Sequence, residues 1–215
     1  METPRHRPAR GSVTTREIEV RRSRFIATVA RADTEEAARA VVAAARVEFP
    51  DARHHCSAFI VEVPSAQEVE RSSDDGEPSG TAGRPMLEVL RGSGLTNVVA
   101  VVTRYFGGVK LGTGGLVRAY SDSVSTALDG VPRVRVVTRA LRTLALPHAE
   151  AGRIRSELEA RGAGSVDVVD VAYGREAVFT LATDDPDALA AMVAALTSGG
   201  GVLVDAGERE VEVRV

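Results

Sequence analysis

Cysteine, tryptophan and lysine are almost missing from this chain of 215 residues. The single cysteine, Cys56, excludes a disulfide within the chain and suits a reducing compartment. Tryptophan is absent and aromatic residues make up only 4% of the chain, so we expect a core built mainly from Val, Leu and Ala. Of the 27 basic residues, all but Lys110 are arginines, which singles out the segment around that lysine.

Long apolar runs are also missing. No stretch reaches the roughly 18 residues that a membrane-spanning helix needs. The first residues carry Arg and Pro rather than the apolar segment of a secretory signal. We therefore expect a cytosolic protein that does not enter a membrane, with residues 1–15 as a disordered lead. The net charge of −3 excludes a general attraction to nucleic acid, so such binding would need a local basic patch.

The order of apolar runs and turn residues predicts two domains, at residues 16–138 and 139–215. In the first, a helix begins after Asp33 or Thr34, and the polar segment Pro64–Pro85 forms a long loop. In the second, strands and helices follow each other in βαββαβ order. That order is typical of a ferredoxin-like domain.

The glycine segment, Arg104–Tyr120 (RYFGGVKLGTGGLVRAY), joins a strand at Asn97–Thr103 to a helix that should begin at Gly115. It contains five glycines, two adjacent aromatic residues and three cations, and no acidic residue occurs between Glu88 and Asp122. Glycine lets a backbone approach a ligand closely, and the start of a helix presents free N–H groups to an anion. The candidate residues for binding phosphate or nucleic acid are Arg104, Tyr105, Phe106, Gly107, Gly108, Lys110, Gly112, Thr113, Gly114, Gly115 and Arg118.

The glycine segment does not match either common nucleotide-binding signature. Gly107 and Gly112 have the Walker A spacing, but Thr113 and Gly114 follow instead of Lys and Ser or Thr. The third glycine of a dinucleotide fingerprint is also absent. The sequence favours a nest of backbone N–H groups and cations around a phosphate, with the two aromatic rings stacking on bases. The alternative is a tight connection whose glycines serve packing and whose aromatic side chains fill the core.

A second polar segment, Arg71–Pro85, clusters the carboxylates of Asp74, Asp75 and Glu77. Carboxylate oxygens are hard ligands, so one interpretation is a divalent-cation site in which Mg²⁺ bridges to a phosphate on the glycine segment. A second interpretation is an acidic loop that docks onto a basic partner. A third is a solvated loop whose carboxylates pair with Arg84 or with the glycine segment.

His54, His55 and Cys56 form the remaining cluster of reactive side chains. Alternation along a strand places His54 and Cys56 on one side, as a Cys–His nucleophile pair or half of a metal site would require. No second cysteine exists to complete a zinc site, so a buried strand cysteine is the simpler interpretation. We therefore assign no catalytic residue.

Two long motifs resemble the signatures of the IMPACT/YigZ family: ERSSDDGEPSGTAGRPML at Glu70–Leu87 and VVAVVTRYFGGVKLGTGGLVRAY at Val98–Tyr120. RSRFIA at Arg22–Ala27 also matches, as does the His54–Cys56 element, with His55 where the family has Asn. The resemblance implies an α+β protein of two domains. The N-terminal domain would be similar to the second domain of a small-subunit ribosomal protein, and the ferredoxin-like C-terminal domain to those of elongation factor G.

The same resemblance implies a role in translation, because eukaryotic relatives interfere with activation of a starvation-sensing kinase in a stress response. We expect a non-enzymatic regulator that binds RNA or a ribosome-associated partner through the Arg104–Arg118 surface, with a protein partner in translation control as a further option. One alternative is a metal-dependent nucleotide or phosphate-ester enzyme that uses Asp74, Asp75 and Glu77. Another is a pure protein-interaction module. No cofactor is expected, apart from Mg²⁺ in the enzyme alternative.

Overall fold

The structure is a computed structural model that describes residues 5–63, 66–162 and 164–215. It divides the chain into two compact units. The first extends to Arg135 and includes Val213–Val215, and the second is Val136–Glu212. The chain thus has the two-domain α+β organisation that the resemblance implied.

The first unit is built on an antiparallel sheet with the strand order β2–β3–β6–β4–β5. Its elements are β1 (Arg5–Pro8), β2 (Val13–Val20), β3 (Ser23–Arg31), α1 (Glu35–Glu48), β4 (His54–Val61), β5 (Val69–Ser73), α2 (Gly83–Ser93), β6 (Val98–Tyr105) and α3 (Thr113–Leu128). Strands β2 and β3 form a hairpin in which Val20 pairs with Ser23. Thr34 caps α1 by accepting a hydrogen bond from the N–H of Ala37 (3.1 Å). The helix therefore begins after Thr34, one of the two predicted capping residues.

Strand β6 is the centre of this sheet, and its side chains are buried on both faces. Val98, Ala100 and Val102 pack in one core with residues of α2 and α3, whereas Val99 packs with α1 on the opposite face. Burial on both faces explains the continuous apolar run. Because side chains alternate along a strand, Arg104 lies on the same face as Val102. It is at the end of β6, where the glycine segment begins.

The second unit has the βαββαβ order that the sequence predicted. Its elements are β7 (Arg133–Leu146), α4 (His148–Arg161), β8 (Val166–Tyr173), β9 (Ala177–Thr183), α5 (Pro186–Leu196) and β10 (Leu203–Arg214). The strand order is β10–β7–β9–β8, and Ile154 of α4 shares a core with Phe179 of β9. Asp185 caps α5 by accepting hydrogen bonds from the N–H groups of Asp187 and Ala188, as predicted.

Three predictions about the elements are wrong. Residues 5–15 are not a disordered lead, because β1 and the start of β2 lie there, and the N–H of Thr96 donates to the His6 carbonyl (2.9 Å). The segment Pro64–Pro85 is not one loop, because it contains β5 and the start of α2. Strand β7 runs unbroken through the expected interruption at 139–140, where no Pro or Gly ends it. Residues 1–4, 64 and 65 lie outside the described residues.

Candidate functional site

Residues 106–112 connect β6 to α3, and glycine sets how closely this connection approaches its neighbours. A Cβ atom on Gly107 would lie 2.0 Å from the backbone carbon and oxygen of Arg22, in the turn of the β2–β3 hairpin. Only glycine fits against that backbone. Gly108 and Gly112 have φ angles of 84° and 75°, in the left-handed region that favours glycine. The connection therefore packs directly on the hairpin turn.

The first turn of α3 presents bare backbone. Gly112 is the residue before the helix, no side chain caps the turn, and no acidic residue lies in it. The first helical hydrogen bond runs from the N–H of Leu116 to the carbonyl of Gly112 (3.0 Å). The N–H groups of Thr113, Gly114 and Gly115 therefore have no partner within the helix. With the positive end of the helix dipole, these groups favour an anion.

A pocket of about 400 Å³ opens beside this helix start. Leu111 and Leu116 contribute apolar surface to it. The predicted site residues that line it are Glu77, Arg104, Phe106, Lys110, Gly112 and Thr113. The structure thus brings an amine, an aromatic ring and a helix start into one concave site.

Four of the predicted side chains of the glycine segment are open to solvent, namely Phe106, Lys110, Thr113 and Arg118. Lys110 and Arg118 are exposed, and neither forms an ion pair within the part of the chain that the structure describes. Phe106 is 55% exposed. Tyr105 is only partly exposed, and the guanidinium of Arg24 lies 5.4 Å from the centre of its ring. Phe106 is therefore the more exposed of the two rings.

Arg104 is not the free cation that the sequence suggested. Its side chain is 7% exposed, and its Nη1 donates to the carboxylate of Glu77, which is 4% exposed (2.6 Å). The guanidinium also lies 5.4 Å from the ring centre of Phe25 and 5.7 Å from that of Phe106. The role of Arg104 as an unpaired phosphate ligand is corrected accordingly. Glu77 already offsets its charge, and Arg104 supports the pocket from inside the fold.

Tyr120 and Ser23, which the sequence analysis missed, complete a buried polar network with this ion pair. Tyr120 Oη donates to Glu77 Oε1 (2.8 Å), and burial raises the pKa of Tyr120, so the hydroxyl remains a donor. Ser23 Oγ accepts a hydrogen bond from the N–H of Gly107 (3.2 Å) and lies 3.5 Å from Nη2 of Arg104. The network links the β2–β3 hairpin, the Arg71–Pro85 segment and α3 to the connection between β6 and α3. It therefore fixes the shape of that connection.

Strand alternation is the signal that could have found this network. Ser23 precedes Phe25 by two residues and Arg104 follows Val102 by two, and both apolar residues belong to the core beneath α2 and α3. A period of two therefore places Arg104 inside the fold, where a guanidinium requires a partner. The sequence alone does not identify Glu77 as that partner among the neighbouring carboxylates.

Asp74 has a structural task. Its carboxylate accepts hydrogen bonds from three backbone N–H groups, those of Gly80 (2.8 Å), Ala82 (3.0 Å) and Gly83 (2.8 Å). Burial by itself would raise the pKa of Asp74, but the three N–H groups hold it below its usual value. Asp74 therefore stabilises the turn that leads into α2.

Asp75 and Glu77 are occupied as well. The Asp75 carboxylate accepts hydrogen bonds from the N–H of His55 (2.6 Å) and from the guanidinium of Arg46 (2.5 Å). Burial opposes ionisation of Asp75, yet these donors lower its pKa below the usual value. Across the described ranges, no group of three or more His, Cys, Asp or Glu side chains is arranged to hold a metal ion. The carboxylates of Asp74, Asp75 and Glu77 are therefore each bound by donors of the chain itself.

Cys56 is buried in the same region. Its Sγ lies 3.0 Å from the carbonyl oxygen of Asp74 and 3.3 Å from Tyr120 Oη. Burial raises the pKa of Cys56 to about 12, so the thiol stays protonated and is a poor nucleophile. His54 Nδ1 instead contacts the carbonyl oxygen of Asp75 (2.9 Å). The cysteine is structural, and the Cys–His nucleophile pair is not formed.

Comparisons with known proteins match the part of the chain that carries this site. Residues 21–128 match the model of the Impact N-terminal domain. The IMPACT family member YigZ of Escherichia coli (strain K12) is 54% identical over 110 residues, which cover 51% of this chain and 54% of the relative. The IMPACT family member YvyE of Bacillus subtilis (strain 168) is 43% identical over 145 residues, 66% of this chain and 64% of the relative.

Two solved structures are also similar to this chain. A crystal structure of a hypothetical protein is 35% identical, covers 95% of this chain and 98% of its own, and has a TM-score of 0.63. The two-domain translational regulator Yih1 is 27% identical, covers 56% of this chain and 49% of its own, and has a TM-score of 0.39.

The fold and the match define an α+β protein with an Impact N-terminal domain. The chain belongs to the IMPACT family, as its motifs indicated. It spans about half the length of the Escherichia coli relative. In the described residues, no helix combines the length and apolar character that crossing a bilayer requires.

Proposed function

We propose that this protein is a translation-linked regulator that binds single-stranded RNA, free or within a ribonucleoprotein. The binding surface consists of Phe106, Lys110, the first turn of α3 and Arg118. The observation that carries the proposal is that Lys110 and Arg118 are exposed without an ion pair in the described chain, beside a helix start that lacks acidic side chains. The link to translation is supported by family membership.

Local charge favours a phosphate ligand even though the whole chain is acidic. The net charge is −3, but no acidic residue occurs between Glu88 and Asp122. The carboxylate of Glu77 lines the pocket, but its ion pair with Arg104 offsets its negative charge. Two unpaired cations and a helix N-terminus together make a local positive field.

A single strand fits this surface better than a duplex. Phe106 is 55% exposed beside Lys110, and an exposed ring offers a face on which an unpaired base can stack. Stacking of a base on an aromatic ring contributes about 1–3 kcal/mol and does not depend strongly on sequence. The concave pocket next to the ring gives the base room to turn away from the strand.

The two alternative functions predict different behaviour. A metal-dependent enzyme would need the carboxylates of Asp74, Asp75 and Glu77 as metal ligands. The Asp74 and Asp75 carboxylates instead accept hydrogen bonds from backbone N–H groups and from Arg46. A protein-interaction module that uses the same surface would bind its partner with little dependence on salt. RNA binding through phosphates depends steeply on salt.

Fluorescence anisotropy with a labelled single-stranded RNA of about a dozen nucleotides tests the proposal. Each phosphate contact contributes about 0.7 to the slope of log K against log salt. Lys110→Ala should therefore reduce the magnitude of this negative slope by about 0.7 and weaken binding about fivefold at 0.1 M salt. Arg133→Ala, an exposed arginine beyond the other end of α3, is the matched control and should leave both values unchanged. Absent or salt-independent RNA binding would contradict the proposal.

A further inference from the structure

The turn of the β2–β3 hairpin has an unusual composition for its geometry. Val20 pairs directly with Ser23, so Arg21 and Arg22 form a two-residue turn. Their φ angles are 47° and 66°, and both are positive, as in a type I′ turn. Asn–Gly is the preferred pair there, because side chains with a Cβ rarely adopt positive φ. Two arginines occupy this turn at a conformational cost.

The hairpin turn is part of the same edge as the proposed binding surface. Gly107 packs so closely on the backbone of Arg22 that an added Cβ would lie 2.0 Å from its carbonyl carbon and oxygen. The N–H of Gly107 also donates to Ser23 Oγ (3.2 Å), the residue that follows the turn. The turn is thus fixed one residue away from Phe106 and next to the connection that carries Lys110.

Both arginines of the turn are exposed and carry unused charge. Within residues 5–63, 66–162 and 164–215, neither forms an ion pair. By contrast, Arg24 on the same hairpin is paired with Glu17 (2.8 Å). Intramolecular pairing therefore does not account for the presence of Arg21 and Arg22 in a turn that disfavours them.

We propose that Arg21 and Arg22 are a second phosphate-binding element, which contacts the backbone of the same single RNA strand that the Lys110 surface binds. This inference rests on the proposed function. The closed hairpin anchors the backbone of these two exposed arginines beside the connection. Their side chains add two positive charges to this edge. In this proposal, contact with RNA offsets the conformational cost of placing arginine at both turn positions.

A double substitution separates this role from a structural one. R21N/R22G replaces the pair with Asn–Gly, which suits a type I′ turn, and removes both charges. We expect an unchanged or higher Tm together with an RNA-binding slope lowered by about 1.4 and an affinity about 25-fold weaker at 0.1 M salt. R21K/R22K keeps the charge and should retain most of the slope. R133A/R135A removes two exposed arginines beyond the far end of α3 and should change nothing.

The outcomes distinguish the inference from the function on which it rests. If R21N/R22G binds RNA with the wild-type slope while K110A does not, the hairpin proposal is overturned and the proposed function stands. If the wild-type chain does not bind RNA, both fail. A Tm of R21N/R22G below that of the wild type contradicts the argument from conformational cost and overturns the hairpin proposal.

Discussion

Removing the carboxylate of Glu77 should destabilise the first unit strongly. Glu77→Ala leaves the Arg104 guanidinium, only 7% exposed, with Ser23 Oγ at 3.5 Å as its remaining side-chain hydrogen-bond partner. Loss of one partner from a buried ion pair typically costs about 3–5 kcal/mol, because the other charge stays buried and unpaired. Tyr120 also loses the acceptor of its hydroxyl. The expected loss in free energy of unfolding is therefore about 3–5 kcal/mol.

Urea unfolding followed by circular dichroism measures this loss. With a denaturant slope of about 2 kcal/mol/M, the midpoint should fall by about 1.5–2.5 M. Glu88→Ala is the control, because Glu88 forms an exposed ion pair with Arg91 (2.7 Å) and should cost less than about 1 kcal/mol. In E77A/R104A, the two losses should not add, with a coupling of at least about 1 kcal/mol. A loss below about 1 kcal/mol for Glu77→Ala would contradict the assignment of Glu77 as the partner of a buried charge.

Three further predictions concern glycine, thiol and carboxylate positions. Gly107→Ala should lower both Tm and RNA affinity, because the new Cβ would clash with the Arg22 backbone. Gly114→Ala, which has open space around it, should keep or raise Tm, and thermal melts of both variants test this. Cys56, whose pKa is raised to about 12, should react with a thiol reagent at pH 8 only at the rate of unfolding, and rapid reaction of the native protein would contradict its burial. The pKa of Asp74 is lowered, so the stabilisation by its carboxylate is present above about pH 4 and is lost as the pH falls further. The free energy of unfolding of Asp74→Asn should therefore be lower than that of the wild type at pH 7 and should approach it at low pH. A difference that stays constant with pH would count against this role of Asp74.

The sequence alone predicted the accessible part of the site. A single lysine among arginines, five glycines and the absence of acidic residues pointed to the connection, and Lys110 and Phe106 do lie exposed there. These features are local in sequence, so composition and spacing are enough to find them. The helix starts at Thr34 and Asp185 were predictable for the same reason, because a capping side chain lies within three residues of the N–H it accepts from.

Contacts between distant parts of the chain were not predictable in this way. Arg104 is buried because Glu77, 27 residues away, and Ser23, 81 residues away, meet it inside the fold. Strand β1 forms although nothing in its own sequence marks it, because its partners lie far along the chain. One of them is Thr96, whose N–H donates to the His6 carbonyl. Asp74 resembles a metal ligand in sequence, and only the folded turn shows that backbone N–H groups surround it.

An NMR titration of the ¹⁵N-labelled chain with single-stranded RNA reports directly on binding at the start of α3. We expect chemical-shift changes centred on the amides of Thr113, Gly114 and Gly115, with smaller changes in K110A and recovery of the free spectrum as salt is added. The absence of shifts at these amides, or shifts of equal size in K110A, would contradict the account.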